Sequence, residues 1–215
     1  MKRIHHELTA AICQAMASPM RIRALTLLAQ GAWSVGQLAA ELGESIASTS
    51  AHLKVLRNAH LIDVEKKGRE VWCQMRSPQV VSALAAIQRA AETVLPEFRE
   101  AIQQMDKDPF LATDIDLNEV AAEAAAGTLA LVDLRPETEF LAGHLPKAIS
   151  RPFTTLPDVD LNDLRDRQRV IAYCRGPWCK KAKEGVKLLN ERGVPSQRLR
   201  GGVIEWQAAG LKLEH

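Results

Sequence analysis

The chain has 215 residues, of which 47% are hydrophobic and 25% charged, and its formal net charge is +2. This length suits one large or two small globular domains, and no apolar run reaches the roughly 20 residues that would cross a bilayer. The N-terminus has no apolar signal core and the four cysteines are too sparse for a disulfide scaffold, so a cytoplasmic protein without a membrane partner is expected.

The small positive excess lies in the N-terminal half. Residues 1–109 carry 13 basic and 11 acidic side chains, whereas residues 110–215 carry 15 of each. The basic residues cluster around Arg21, Lys54 and Lys66, and local clustering matters more for phosphate binding than total charge. The first half is therefore the candidate for binding nucleic acid.

Apolar spacing predicts four short helices in the first 60 residues. Ser18, Ser34 and Ser45 stand where N-caps are expected, and a glycine at 43 separates the last two helices. Two short helices joined by a tight glycine turn are the helix-turn-helix pattern. The predicted helices cover residues 6–17, 20–30, 35–42 and 46–57.

A β-hairpin and a long helix are predicted next. Residues 61–65 and 70–75 resemble strands joined by a basic glycine turn, which predicts a wing. Residues 78–104 have helical apolar spacing, and Pro96 should kink or split this helix. A winged core cannot cover so long an apolar stripe, so a second subunit is expected to pack on it.

These segments resemble the ArsR family of dimeric winged-helix transcriptional regulators over about residues 5–105. The resemblance implies a homodimer built by the first and last helices, and a palindromic double-stranded DNA operator. It also implies that the helix from Ser45 to Arg57 enters the major groove. It is carried by Ser18-Pro19-Met20-Arg21-Ile22-Arg23-Ala24-Leu25-Thr26-Leu27-Leu28, Val35-Gly36-Gln37-Leu38-Ala39, Ser50-Ala51-His52-Leu53-Lys54-Val55-Leu56, Leu61-Ile62 and Gly68-Arg69-Glu70-Val71-Trp72.

The resemblance implies DNA contacts from the recognition helix and from the wing. Three simpler interpretations stay open: Ser45 is only a cap, His52 is a packing residue, and the wing lysines are merely solvated. The candidate DNA-binding residues are Ser45, Ser48, Ser50, His52, Lys54, Lys67 and Arg69.

No metal or other cofactor is expected. Metal-sensing members of the family carry a Cys-x-Cys box before the recognition helix, but residues 35–39 contain no cysteine, and residues 78–105 contain no histidine. Cys13 and Cys73 are predicted to be small core residues.

Residues 106–109 form a polar break, which predicts a linker at 106–111 between a domain at 1–105 and a second domain at 112–213. The second domain should be α/β with a central parallel sheet, because strand-like and helical segments alternate. Leu213-Glu214-His215 resembles an expression-tag scar and is given no structural role. Helices are predicted over residues 117–126, 136–142, 161–166, 180–192 and 203–208, and strands over 129–132, 148–150, 170–173 and 198–199.

Cys174 follows a buried strand-like run and precedes a predicted helix that starts at Lys180. A thiol before a helix N-terminus faces backbone N–H groups that have no intrahelical partner. These donors, the helix dipole and nearby basic residues favour a thiolate. Cys174 is therefore the predicted nucleophile.

Three motifs around this cysteine resemble the rhodanese domain over about residues 112–212. The resemblance implies a sulfurtransferase loop in which Cys174 carries a persulfide, while Asp133 and Arg135 maintain the fold. The motifs are Val132-Asp133-Leu134-Arg135 with Glu139-Phe140 and Gly143-His144-Leu145-Pro146-Lys147-Ala148, Tyr173-Cys174-Arg175-Gly176, and Leu199-Arg200-Gly201-Gly202 with Trp206 and Gly210.

The loop from Cys174 to Cys179 has the six-residue length of sulfurtransferases. Related phosphatase and arsenate-reductase loops are one residue longer and end in arginine, so phosphatase chemistry is disfavoured. Cys179 is a candidate resolving thiol, or alternatively a thiol turned into the following helix. Trp178 lines the pocket, docks a partner or simply packs. The remaining loop residues are Arg175, Gly176, Pro177 and Lys180.

The leading hypothesis is a regulator that senses or processes reactive sulfur, with thiosulfate or polysulfide as the sulfur donor and Cys174 as the acceptor. The sulfur state would act on DNA binding by domain docking or by sulfur transfer to Cys13 or Cys73. An alternative is a thiosulfate or persulfide sulfurtransferase that the winged helix localises or dimerises. A third hypothesis is a loop that only binds anions.

Overall fold

The computed structural model describes residues 2–105, 112–113 and 115–215. It contains two compact units, Met1–Leu84 and Ala85–His215, and the boundary falls inside one helix, Pro78–Val94. The predicted linker at 106–111 lies outside the described residues, and the domain bounds at 105 and 112 stay a prediction. No helix in the described part of the chain has the length and apolar composition needed to cross a membrane.

The first unit holds the predicted helix-turn-helix and wing. The Ser34 side chain accepts a hydrogen bond from the Gln37 amide and caps the third helix, which ends at Gly43 with φ of 71°. Its α-helices and strands are α1 (Lys2–Met16), α2 (Pro19–Leu28), β1 (Trp33–Ser34), α3 (Val35–Leu42), α4 (Ile46–Asn58), β2 (Ile62–Lys67), β3 (Glu70–Met75) and the start of α5 (Pro78–Val94).

The wing sheet has the order β1-β3-β2 and is antiparallel, so the predicted hairpin gains a short third strand that the sequence pattern did not indicate. The core beneath it is apolar: Leu25, Leu38 and Leu56 are fully buried. Cys73 on β3 is 1% exposed, which confirms the prediction for this residue. The elements that present α4 and the wing therefore share one core.

The prediction that Cys13 is a core residue is wrong. Cys13 lies on an exposed part of α1, and Thr9, Ala10 and Ala17 at helical spacing from it are exposed as well, although Met16 is buried. Ile4, Leu8 and Ile12 recur every fourth residue on α1 and remain 54%, 63% and 36% exposed. This apolar stripe has no cover within the described residues of its own unit.

The second unit continues α5 and contains an α/β layer structure. Pro96 begins a separate helix, which confirms that this proline splits the long apolar segment. The elements are α6 (Pro96–Met105), β4 (Ala112–Thr113), α7 (Leu117–Ala126), β5 (Ala130–Asp133), α8 (Glu137–Ala142), β6 (Ile149–Ser150), α9 (Asn162–Arg165), β7 (Val170–Tyr173), α10 (Lys180–Glu191), β8 (Ser196–Leu199) and α11 (Val203–Ala208).

The five strands of this unit form a parallel sheet in the order β4-β8-β7-β5-β6. Alternate residues face two different apolar cores, because side chains of a strand alternate between the faces of the sheet. Ala172 and Cys174 pack in the core that includes α10, whereas Ile171 and Tyr173 pack in the core that includes α7 and α11. Cys174 thus lies at the carboxyl end of a central strand, where ligands of parallel sheets bind.

The C-terminal residues have a structural role, contrary to expectation. The Glu214 and His144 amides each donate to the other's carbonyl at 2.9 Å, and the Glu214 carboxylate accepts from the Lys147 amide at 2.9 Å. The extended tail supplies hydrogen-bond partners to the backbone of the loop after α8. A residue pattern does not reveal these bonds, because they join segments that are far apart in the sequence.

Candidate functional site: a two-cysteine loop and a candidate DNA interface

The Cys174 loop joins β7 to α10. Cys174 directly follows Tyr173, the last residue of β7, and is 2% exposed. Cys179 is the N-cap residue of α10, and its amide donates to the Gly176 carbonyl at 3.2 Å. The loop is therefore a tight turn that returns its sixth residue to the first.

The two loop cysteines meet. Their Sγ atoms are 2.9 Å apart, and both are free thiols. The hydrogen bond between the two sulfurs lowers the pKa of Cys179 to about 6, and hydrogen bonds from the amides of Ala182, Arg175 and Lys181 lower it further. The same hydrogen bond and burial raise the pKa of Cys174. The thiolate form is therefore favoured at Cys179, at the start of α10, and disfavoured at Cys174, whereas the sequence pattern indicated a thiolate at Cys174.

Arg175 is held by a buried carboxylate. Its Nε donates to both carboxylate oxygens of Glu139 on α8, at 2.9 and 3.1 Å, and the Glu139 side chain is only 3% exposed. Burial raises the pKa of Glu139, while the Arg175 guanidinium opposes that shift. Arg175 still lowers the pKa of Cys174, but less than the hydrogen bond with Cys179 raises it. The Arg175–Glu139 ion pair therefore mainly anchors the cysteine loop to α8.

Two further elements fix the loop from the β8 side. Arg198, a buried residue of β8, donates to the Pro177 carbonyl at 3.0 Å. The backbone at Gly202 runs so close to the loop that a Cβ there would lie 2.4 Å from the Cys174 carbonyl oxygen and 2.9 Å from the Gly176 nitrogen. Because Gly202 has no side chain, its backbone can pack directly against the cysteine loop.

Replacing Gly202 with alanine should slow the reaction of the Cys174–Cys179 pair without unfolding the protein. The clashing atoms belong to the backbone, so the loop itself must shift, and a displacement near 1 Å costs about 100-fold in a positioned reaction. The measurement is the rate of sulfur uptake from polysulfide by intact mass. Gly201→Ala is the matched control, because its Cβ would meet the nearest atom, Glu205 Cβ, at 3.5 Å. Equal rates in the two variants would contradict this prediction.

Asp133 and Arg135 form a fully buried network beneath the loop. Both side chains are 0% exposed, and Arg135 Nη2 donates to Asp133 Oδ2 at 2.6 Å. The Tyr173 hydroxyl also donates to this carboxylate at 2.6 Å and accepts from the Leu145 amide at 3.1 Å. Burial raises the pKa of Tyr173 well above its usual value. These hydrogen bonds connect β5, β7 and the segment after α8. The role of Asp133 and Arg135 is therefore structural.

Among the candidate DNA-binding residues, three line a single cavity of the first unit. Ser50 and Lys54 of α4 and Arg69 of the wing border a volume of about 570 Å³, together with Arg57. Cys73 lies on its wall. The structure thus brings these candidates of the recognition helix and the wing to one concave surface, which is mostly apolar and carries three basic side chains and the Glu70 carboxylate.

The other candidates have local roles. The Ser45 hydroxyl accepts from the Ser48 amide at 3.1 Å and so caps α4. Lys67 pairs with Glu65 at 3.3 Å and lies 5.9 Å from the Trp72 ring centre, although it stays half exposed. His52 is half-buried on α4. These contacts leave the hydroxyl proton of Ser45 and the Lys67 charge accessible to a ligand.

Sequence reasoning missed the loop anchors. Glu139 and Gly202 lie in motifs that resemble the rhodanese domain, but the residue pattern predicts no contact of either with the cysteine loop. Arg198 was predicted only as the first residue of a strand. The usable signal was a charged residue within a strand of the predicted sheet, since a buried charge needs a partner.

Two family profiles match different parts of the chain. The profile described as bacterial regulatory protein, arsR family, matches residues 18–64. The profile of the rhodanese-like domain matches residues 116–209.

Curated relatives match the whole chain or one unit. The HTH-type transcriptional regulator Rv0324 of Mycobacterium tuberculosis is 32% identical over 205 residues, covering 95% of this chain and 89% of the relative. A sulfurtransferase of Allochromatium vinosum is 28% identical over 104 residues, covering 45% of this chain and 94% of the relative.

Among solved structures, the homodimeric winged helix-turn-helix DNA-binding domain of Mb0332 from Mycobacterium bovis matches 45% of this chain and 89% of that chain, with 26% identity and a TM-score of 0.42. Both units of the fold and the near full-length match to Rv0324 agree with the two resemblances found in the sequence. The chain therefore belongs to the ArsR family of bacterial transcriptional regulators, with a rhodanese-like domain that follows the winged helix.

Proposed function

We propose that this regulator senses reactive sulfur through the Cys174–Cys179 pair and changes its affinity for operator DNA in response. The observation that carries the proposal is the 2.9 Å separation of the two Sγ atoms at the end of β7, in a chain of a DNA-binding family. Two thiols at this distance form a disulfide after a small movement, whereas a lone acceptor cysteine needs an external thiol.

The chemistry begins with a proton transfer inside the pair. Cys174 gives its proton to the Cys179 thiolate, and the resulting Cys174 thiolate attacks the outer sulfur of a donor such as thiosulfate. A sulfur–sulfur bond forms on Cys174, the donor's own sulfur–sulfur bond breaks, and sulfite leaves with the electron pair. The arrangement supports this step because the sulfurs are hydrogen-bonded and Cys174 is shielded from water.

The second step resolves the persulfide. Cys179 attacks the inner sulfur of the Cys174 persulfide, the disulfide forms, and the outer sulfur leaves as hydrosulfide carrying the Cys179 proton. The products are one intramolecular disulfide and one hydrosulfide, so atoms and charge balance. A reducing dithiol returns the pair to its starting state.

DNA binding is proposed for α4 and the wing of a homodimer. The cavity lined by Ser50, Lys54 and Arg69 offers two cations and a hydroxyl to phosphates and base edges. The exposed stripe Ile4, Leu8 and Ile12 on α1 supports dimerisation, since such a stripe is typical of a helix that packs on a second subunit.

The test is intact-mass analysis and a DNA-shift assay on one sample, using an operator selected from random duplexes. Polysulfide or thiosulfate should add one sulfur or remove two hydrogens, and should change DNA affinity at least about tenfold. Unchanged affinity with a modified mass would overturn the sensing function. Steady turnover of thiosulfate and cyanide together with no operator binding would favour the alternative, a sulfurtransferase that the winged helix localises.

A further inference from the structure

The cysteine loop packs against the helix that follows α5. Trp178 lies between Pro177 and Cys179, and its ring meets the Phe98 ring of α6 edge to face, with centres 4.6 Å apart. Trp178 directly precedes Cys179, so its position depends on where the Cys179 backbone lies. An aromatic pair of this geometry is sensitive to small shifts, because its attraction depends on ring orientation.

A second contact places α5 beside the same loop. Glu205 of α11 accepts a hydrogen bond from the Gly202 amide at 2.8 Å, and a Cβ added to Gly176 would lie 3.4 Å from its Oε2. Arg89 and Glu92 on α5 lie close enough to Glu205 to shift its pKa in opposite directions, although burial dominates and raises it. The loop thus contacts α6 through an aromatic pair and faces α5 through a charged group.

We propose that the segment 85–105, formed by the later part of α5 and by α6, reports the state of the cysteine pair through the Trp178–Phe98 contact. The inference rests on the proposed function and names its regulatory route. Disulfide formation must draw the sulfurs from 2.9 Å to a bond of about 2.05 Å, which pulls Cys179 and with it Trp178. The two rings then lose their edge-to-face contact and α6 is destabilised.

The cysteine loop can be coupled to the DNA-binding unit through α5, because this helix is continuous across the boundary of the two units. α5 begins at Pro78, before the boundary of the two units, and runs without a break to Val94. Only Leu95 separates α6 from α5, so a change at α6 acts on α5. The helix α5 in turn starts among the residues of the DNA-binding unit. Because coupling is reciprocal, operator binding must in turn change the reactivity of the cysteine pair.

The test is hydrogen exchange, followed by mass spectrometry, on α6 of the full chain in its dithiol and disulfide states. The disulfide is made with diamide, which takes up the two thiol hydrogens and becomes a hydrazine, so no sulfur donor is required. Oxidation should raise exchange in α6 at least about fivefold in the wild type. Phe98→Ala should exchange rapidly in both states, with a difference below about twofold.

Two matched variants accompany this comparison. Phe98→Tyr keeps the ring and should respond like the wild type. Val94→Ala removes an apolar side chain that is 69% exposed, one turn before Phe98, and should also respond like the wild type.

The proposal is overturned if oxidation leaves α6 exchange unchanged in the wild type, or changes it equally in Phe98→Ala. Failure of diamide to form the disulfide overturns it as well, since the loop movement would not exist. The first two outcomes leave the proposed function standing, whereas a pair that diamide cannot oxidise removes the disulfide step of both proposals. Failure of the proposed function alone appears as a pair that diamide oxidises but polysulfide and thiosulfate leave unmodified.

Discussion

Cys174→Ser should abolish sulfur uptake and the sulfur-dependent change in DNA affinity. The serine hydroxyl remains protonated at neutral pH and is a far weaker nucleophile toward sulfur than a thiolate, so a loss of at least about 100-fold is expected. The buried position, at 2% exposure, also accepts serine without a large change in volume. Intact mass after polysulfide treatment measures uptake, and DNA affinity is recorded on the same sample. Uptake at the wild-type rate would show that Cys174 is not the acceptor.

Cys179→Ser is the matched variant and should give a different result. Uptake continues, but the persulfide accumulates on Cys174 because the resolving thiol is missing. In the wild type, uptake should increase as pH rises through the pKa of Cys179, about 6, because the thiolate then accepts the Cys174 proton. In Cys179→Ser this rise should move to higher pH, since Cys174 must then ionise alone. Identical pH profiles would contradict the proton transfer within the pair.

Asp133→Ala should destabilise the protein by about 3–5 kcal/mol, the usual result of removing one partner from a buried ion pair. The substitution removes the carboxylate that balances Arg135 in a site with 0% exposure, and it removes the acceptor of the Tyr173 hydroxyl. A loss of this size is a large share of the roughly 5–15 kcal/mol that holds a typical domain folded. Urea unfolding followed by circular dichroism measures it.

Asp163→Ala provides the control, because it makes the same chemical change in a more exposed pair. Asp163 binds Arg151 through both oxygens at 2.9 and 3.0 Å, but its side chain is 42% exposed. Water replaces such a partner, so the expected loss is below about 1 kcal/mol. Similar losses in the two variants would mean that burial does not set the value of the Asp133 network.

Much of the fold could be predicted because its signals are local. The helices 117–126 and 203–208 and the strand 170–173 have the predicted bounds, since caps, apolar period and glycine stops depend on neighbouring residues. The two-residue strands β1 and β4 escaped prediction, because a strand this short carries no period and exists only through its pairing partner.

The candidate site likewise has features that local sequence predicts and features that depend on packing. The residue pattern alone pointed to a nucleophilic Cys174 and to a helix capped by Ser45, because strand ends and caps are properties of contiguous sequence. The two family resemblances added the sulfurtransferase loop at 174–179 and the recognition helix. The exposure of Cys13 and the structural role of the C-terminal tail depended on which surfaces the folded chain covers.

Only the tertiary structure decided how the two loop sulfurs meet and at which of them the thiolate form is favoured. Both depend on the turn that returns Cys179 to Cys174 and on the start of α10 behind it. The anchors at Glu139, Arg198 and Gly202 come from segments 35, 24 and 28 residues away from Cys174 along the chain. Distances between such segments are set by the packing of the whole sheet, which no local pattern encodes.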